Sequence, residues 1–124
     1  MCSSDLVFVA AVPALLAAAA LAAEEPVGPE PHKTFSDNCA ACHQEDGQGI
    51  EGAFPALAGD KVVLGPQEAQ INVLLNGQNG GKMPAWKQLS DVEIASVITF
   101  TRNAWGNKAD DNIVQPKEVL AARK

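Results

Sequence analysis

Thiols and imidazoles are the side chains most often recruited to hold metals and cofactors. Residues 39–43, Cys-Ala-Ala-Cys-His, set two cysteines and a histidine within five positions. Three chemistries use such a group: a metal site, a dithiol redox pair, or covalent attachment of a haem. For zinc, Cys39, Cys42 and His43 supply three ligands where a closed structural site takes four. The fourth would have to be His32, a carboxylate, or Cys2. A thioredoxin-like dithiol follows a strand in a βαβ pattern, and no such pattern surrounds this motif. A disulfide between cysteines this close is sterically poor. Cys-x-x-Cys-His is, in contrast, the sequence mark of c-type haem attachment. Two cysteines three apart can each form a thioether to one vinyl group of a single porphyrin. The next residue, His43, then lies under the iron and can ligate it through a ring nitrogen.

A second axial ligand follows by elimination. Once a leader is removed, Met83 is the only methionine, and His32 is the only other histidine. Met83 stands in "NGGKMPAW", where glycines let backbone approach a flat ligand and Pro84 fixes a turn. Core filler is not expected in so polar a loop. His32 lies seven residues before Cys39 on the same helix, badly placed to reach the opposite haem face, and reads as a surface histidine.

Short helices and long loops must position these groups. Residues 32–41 contain no Gly or Pro and read as a helix, with Phe35 and Cys39 four apart on one face. "PQEAQINVLLNG" reads as a second, with Pro66 at its first turn and Gly77 ending it. Ser90-Asp91-Val92-Glu93 is a capping box opening a third. Ile94, Val97, Ile98 and Thr101 with Trp105 mark its apolar stripe, and Gly106 stops it. The tail adds a short final helix. Residues 47–59 and 76–88 are loops without period, unusually long for so small a chain unless a ligand organises them.

The ends of the chain set its context. Leu6 to Ala23 form an uncharged apolar run, and Ala20-Leu21-Ala22 fits a signal-peptidase site, so residues 1–22 read as a signal peptide. No Lys or Arg precedes the run. Codons for Cys-Ser-Ser-Asp-Leu match the end of a sequencing adapter, and residues 1–6 are read as a sequencing artefact replacing a basic segment. An uncleaved leader would instead tie the protein to a membrane. Residues 23–31 form a Pro-rich acidic linker, leaving residues 32–124 as the folded domain. Residues 24–60 carry eight acids against one lysine, a balance that argues against nucleic acid as partner. Export would place the thiols in an oxidising compartment, such as the periplasm, where they do not stay free unless occupied.

Together "CAACH", "GQG", "FPALAG", "KMPAW" and the capped helix give residues 32–106 a clear likeness: the chain resembles the class I monohaem cytochromes c. It is similar to the cytochrome c domain of haem–copper oxidase subunit II, on "RNAWGN" and "VQPKEV", and to small cytochrome subunits of quinoprotein dehydrogenases. The resemblance implies an all-α cytochrome c fold, three to five short helices with long loops wrapped around one covalently bound haem c. It implies a haem site of Cys39, Cys42, His43, Met83, Pro55 and Trp86, with iron held by His43 and Met83. Pro55 would offer its carbonyl to His43, Trp86 would lie by a propionate, and Phe35 would meet Phe100 where two helices cross. The implied role is a periplasmic electron carrier and not an enzyme, with a terminal oxidase or quinoprotein dehydrogenase as redox partner. The competing role is a haem peroxidase or ligand sensor in which Met83 is labile.

Overall fold

The computed structural model describes residues 30–123. The expected signal peptide, with the first six residues read as an artefact, and nearly all of the expected linker lie outside them. Six α-helical segments follow in order: α1 (Pro31–Asn38), α2 (Ala40–His43), α3 (Lys61–Leu64), α4 (Gln67–Asn76), α5 (Asp91–Asn103) and α6 (Pro116–Ala122). Two of the six are single turns of four residues. Extended pairing among the described residues is confined to two isolated antiparallel bridges, Ile50 with Phe54 and Gln78 with Met83. The class is all-α, as expected, and none of these helices is long and apolar enough to cross a membrane.

Local chemistry explains most boundaries. Ser90 Oγ accepts from the Glu93 N–H at 3.0 Å while the Glu93 carboxylate accepts from the Ser90 N–H at 2.9 Å, closing the capping box of α5. Asp60 caps α3 by accepting from the Val62 and Val63 amides. Pro66 stands at the cap of α4, and Gly77 ends it with φ +75°. The first helix runs further than its sequence suggests. Only Cys39 interrupts it (φ −118°), and the His43 N–H still reaches the Cys39 carbonyl at 2.9 Å. The attachment motif therefore lies within a helical turn.

One element departs from expectation. Trp105 does not continue the α5 stripe, because the helix ends at Asn103 and Ala104 is extended. Trp105 takes φ +53° and folds back. Its indole N–H donates to the Glu45 carbonyl at 2.9 Å, and its ring packs on Phe35 and Phe100 at 5.2 and 5.5 Å. Those contacts compensate a backbone conformation that costs an L-residue about 1–2 kcal/mol.

Phe35, Ile71, Leu74, Leu75, Ile94, Val97, Ile98, Val114 and Val119 form the buried core. Phe35 and Phe100 join α1 to α5, with centroids 5.4 Å apart. At the end of α6, Arg123 donates to the Asp91 carboxylate at 2.6 Å and to the carbonyls of Lys87 and Leu89 at 2.9 and 2.7 Å. It thus pins the segment between Trp86 and α5. Truncation of Arg123 to Ala should lower stability by about 1–3 kcal/mol, since charge-assisted bonds and a carboxylate partner are lost together. Denaturant titration measures this; a loss under about 0.3 kcal/mol would show the clamp to be idle.

Candidate haem site

Cys39, Cys42, His43, Pro55, Met83 and Trp86, the six residues singled out in the sequence, all line one cavity. It has a volume of about 230 Å³ and opens to solvent. Helix α2 contributes the Cys42 thiol and the imidazole, its cap residue Cys39 the other thiol, the loop after it Pro55, and the loop after α4 Met83 and Trp86. Leu57, Val63, Leu74, Val97 and Ile98 give the remaining wall an apolar character.

His43 is held by its Nδ1, 2.9 Å from the Pro55 carbonyl oxygen. A carbonyl can only accept, so Nδ1 carries the proton and the Nε2 lone pair is free to bind a metal. Gly49 makes this contact possible. Its N–H donates to the His43 carbonyl at 2.9 Å, and its φ is +64°. A Cβ there would collide with the Phe54 carbonyl oxygen and stand 2.6 Å from that of Pro55.

Across the cavity, Gln78 and Met83 exchange backbone bonds of 2.9 and 3.2 Å, and the Trp86 N–H donates to the Leu74 carbonyl at 2.7 Å. These bonds tie the Met83 loop back to α4. Gly77 allows the approach: a Cβ there would lie 2.6 Å from the Met83 carbonyl.

Cys39 and Cys42 are free thiols, half-buried. Burial, and then the neighbouring Cys42, push the Cys39 thiol up to about 11. It is neutral at ordinary pH, unlike the depressed thiol of a dithiol oxidoreductase. Nor do three His, Cys, Asp or Glu side chains among the described residues group so as to hold a metal ion, so the zinc alternative finds no closed site. Among the described residues, one buried side-chain polar atom has no protein partner, the Trp86 indole Nε1. A donor buried without an acceptor costs about 1–3 kcal/mol unless a ligand meets it. Two thiols at attachment spacing, an imidazole with free Nε2, a thioether, an orphaned donor and an apolar wall fit a haem.

His32 stays out of the cavity. It is exposed, 3.0 Å from the Glu45 carboxylate, with its ring 5.3 Å from Phe100. Sequence reasoning overlooked the polar residues that frame the site. Asn107 is buried; it donates to the Leu57 and Thr101 carbonyls and accepts from the Gly59 N–H at 2.8 Å, fastening the Pro55 loop to α5. Arg102 is buried as well. It stands four residues after Ile98, so the helical period that marked the apolar stripe already placed it inward.

The comparisons agree with this geometry. A family profile described as cytochrome c oxidase, cbb3-type, subunit III matches residues 27–100. Cytochrome c-552 of Thermus thermophilus is 37% identical, over 69% of this chain and 88% of the relative. The cytochrome c subunit of an alcohol dehydrogenase (quinone) from Gluconobacter oxydans is 36% identical over 65% of this chain. A cbb3-type oxidase subunit CcoP from Azospirillum brasilense is 36% identical over 60%. The chain spans 19% and 27% of those last two proteins.

Proposed function

From the premise that this chain belongs to the cytochrome c family, whose domain carries a covalently attached haem c, we propose that it is a periplasmic one-electron carrier with His43 and Met83 as axial ligands. What supports this most is the convergence of Cys39, Cys42, His43 and Met83 on one cavity, with His43 held at Nδ1 by Pro55.

When bound, the haem supplies Fe(III)/Fe(II) chemistry. Cys39 and Cys42 would anchor it through two thioethers, and His43 would give Nε2. Met83 gives its thioether sulfur, a ligand that favours ferrous iron and raises the potential. Trp86 would give its indole N–H, which has no protein acceptor, to a propionate. Leu74, Val97 and Ile98 keep water from the buried face. If His43 and Met83 both held the iron, no position would be left for a substrate, which favours an electron carrier over an enzyme.

The relatives suggest the partner class. The similar chains are named as the cytochrome c subunit of an alcohol dehydrogenase (quinone) and as a subunit of a cbb3-type cytochrome c oxidase, and a redox protein of that kind is the proposed partner. The test is spectroscopic. Exported and matured protein should give a reduced spectrum with a Soret band and a pyridine haemochrome of the two-thioether type, and the ferric form a near-infrared Met–iron band. A haem protein lacking that band and binding carbon monoxide at neutral pH would be the peroxidase or sensor instead.

A further inference from the structure

Arg102 is the largest fully buried side chain among the described residues, with no exposed surface. Its guanidinium Nη1 donates to the Val63 carbonyl at 2.9 Å and lies 3.5 Å from Gln70 Oε1. Nε donates to the Asp111 carbonyl at 3.2 Å and Nη2 to that of Asp110 at 2.6 Å. All four acceptors are uncharged oxygens. The nearest acids, Asp111, Asp110 and Glu68, act only from further off, and burial pushes the guanidinium below its ordinary value. Arginine nonetheless stays charged. A buried cation is usually paired with a carboxylate, and this one is not.

Its position suggests why. Val63 and Gln70, the two acceptors of Nη1, both line the cavity, as does Thr101, the residue before it. Gln70 Nε2 also donates to Thr101 Oγ1 at 2.8 Å, so the polar stretch of wall is fixed. The positive charge therefore stands directly behind the wall, one residue removed from whatever fills the cavity.

We propose that Arg102 is a fixed electrostatic element that raises the reduction potential of the haem. Taking one electron from a donor lowers the charge of the iron–porphyrin unit by one, and no proton moves at Arg102. A nearby positive charge in a poorly polarisable interior stabilises the reduced form over the oxidised. The cage of uncharged oxygens holds that charge with no carboxylate bonded to it.

The inference rests on the haem reading, and its test separates the two. Midpoint potentials and thermal unfolding are measured on matured wild type, Arg102→Lys and Arg102→Gln. Both variants lose the fork of bonds and should unfold at lower temperature. Only Arg102→Gln loses the charge, and its reduction equilibrium constant should fall five- to tenfold, tenfold being about 59 mV for one electron. Arg102→Lys should stay within about twofold of wild type. Equal shifts in both variants, or none in either, overturn the proposal. Should Arg102→Gln not accumulate, Gln70→Glu neutralises the charge in place; an unchanged potential there also overturns it. Wild type without a Soret band would sink the haem reading itself, whereas a haem protein whose potential ignores Arg102 sinks only this inference.

Discussion

Replacing Met83 with Ala should abolish the near-infrared Met–iron band, open the iron to carbon monoxide, and lower the reduction equilibrium constant by more than about tenfold. The thioether favours ferrous iron, and a water or an empty position does not. Met83 is also half-buried against the core, so truncation removes packing as well as sulfur. Met83→Leu separates the two, because a volume-conserving swap costs less than about 1.5 kcal/mol. Leucine should keep most of the stability and still lose the band and the potential. If the band survives either change, Met83 is not the ligand.

Gly49→Ala should destabilise the protein by about 3–5 kcal/mol, at the upper end for a single substitution. Part of that is the positive φ, which costs an alanine about 1–2 kcal/mol. The rest is collision with the backbone of Phe54 and Pro55, which cannot swing aside as a side chain would. Gly52 is the internal control. Its φ is +82° and nothing lies within 4 Å of a Cβ placed there. Gly52→Ala should therefore show only the backbone part. For a domain this size each kcal/mol moves Tm by about 4–8 °C, so the two variants should differ by more than 8 °C. Equal losses would mean that the close packing at Gly49 gives way freely. Since the Pro55 carbonyl that accepts from His43 Nδ1 stands 2.6 Å from the added Cβ, the Gly49 variant should also loosen the hold on His43.

Much of this was legible from residue types. Cys39, Cys42 and His43 declare themselves by spacing, the capping box declares α5, and Met83 stands out as the only methionine after the expected leader. Pro55 and Trp86 came from likeness, and the hydrogen bond to His43 and the orphaned indole now give each a physical reason. Three features were hidden. Helix α3 is one turn long, too short for a period, and only Asp60 marks it. Trp105 fits the helical stripe by spacing, yet its partners Glu45 and Phe35 lie sixty and more residues away and outcompete another helical turn. Arg102 falls at an inward position, but a charge can be buried there only because four oxygens from α3, α4 and the loop after α5 meet it, and no linear pattern announces that meeting.

The Trp105–Glu45 bond has a consequence for timing. It staples the segment just after the attachment motif to one that the ribosome makes sixty residues later. Asn107 fastens the Pro55 loop over nearly as long a separation. Local helices form in well under a millisecond, but pairings so distant in sequence wait for the chain that carries them. Until those contacts form, the segment that carries Cys39 and Cys42 is held only by its own helical turns.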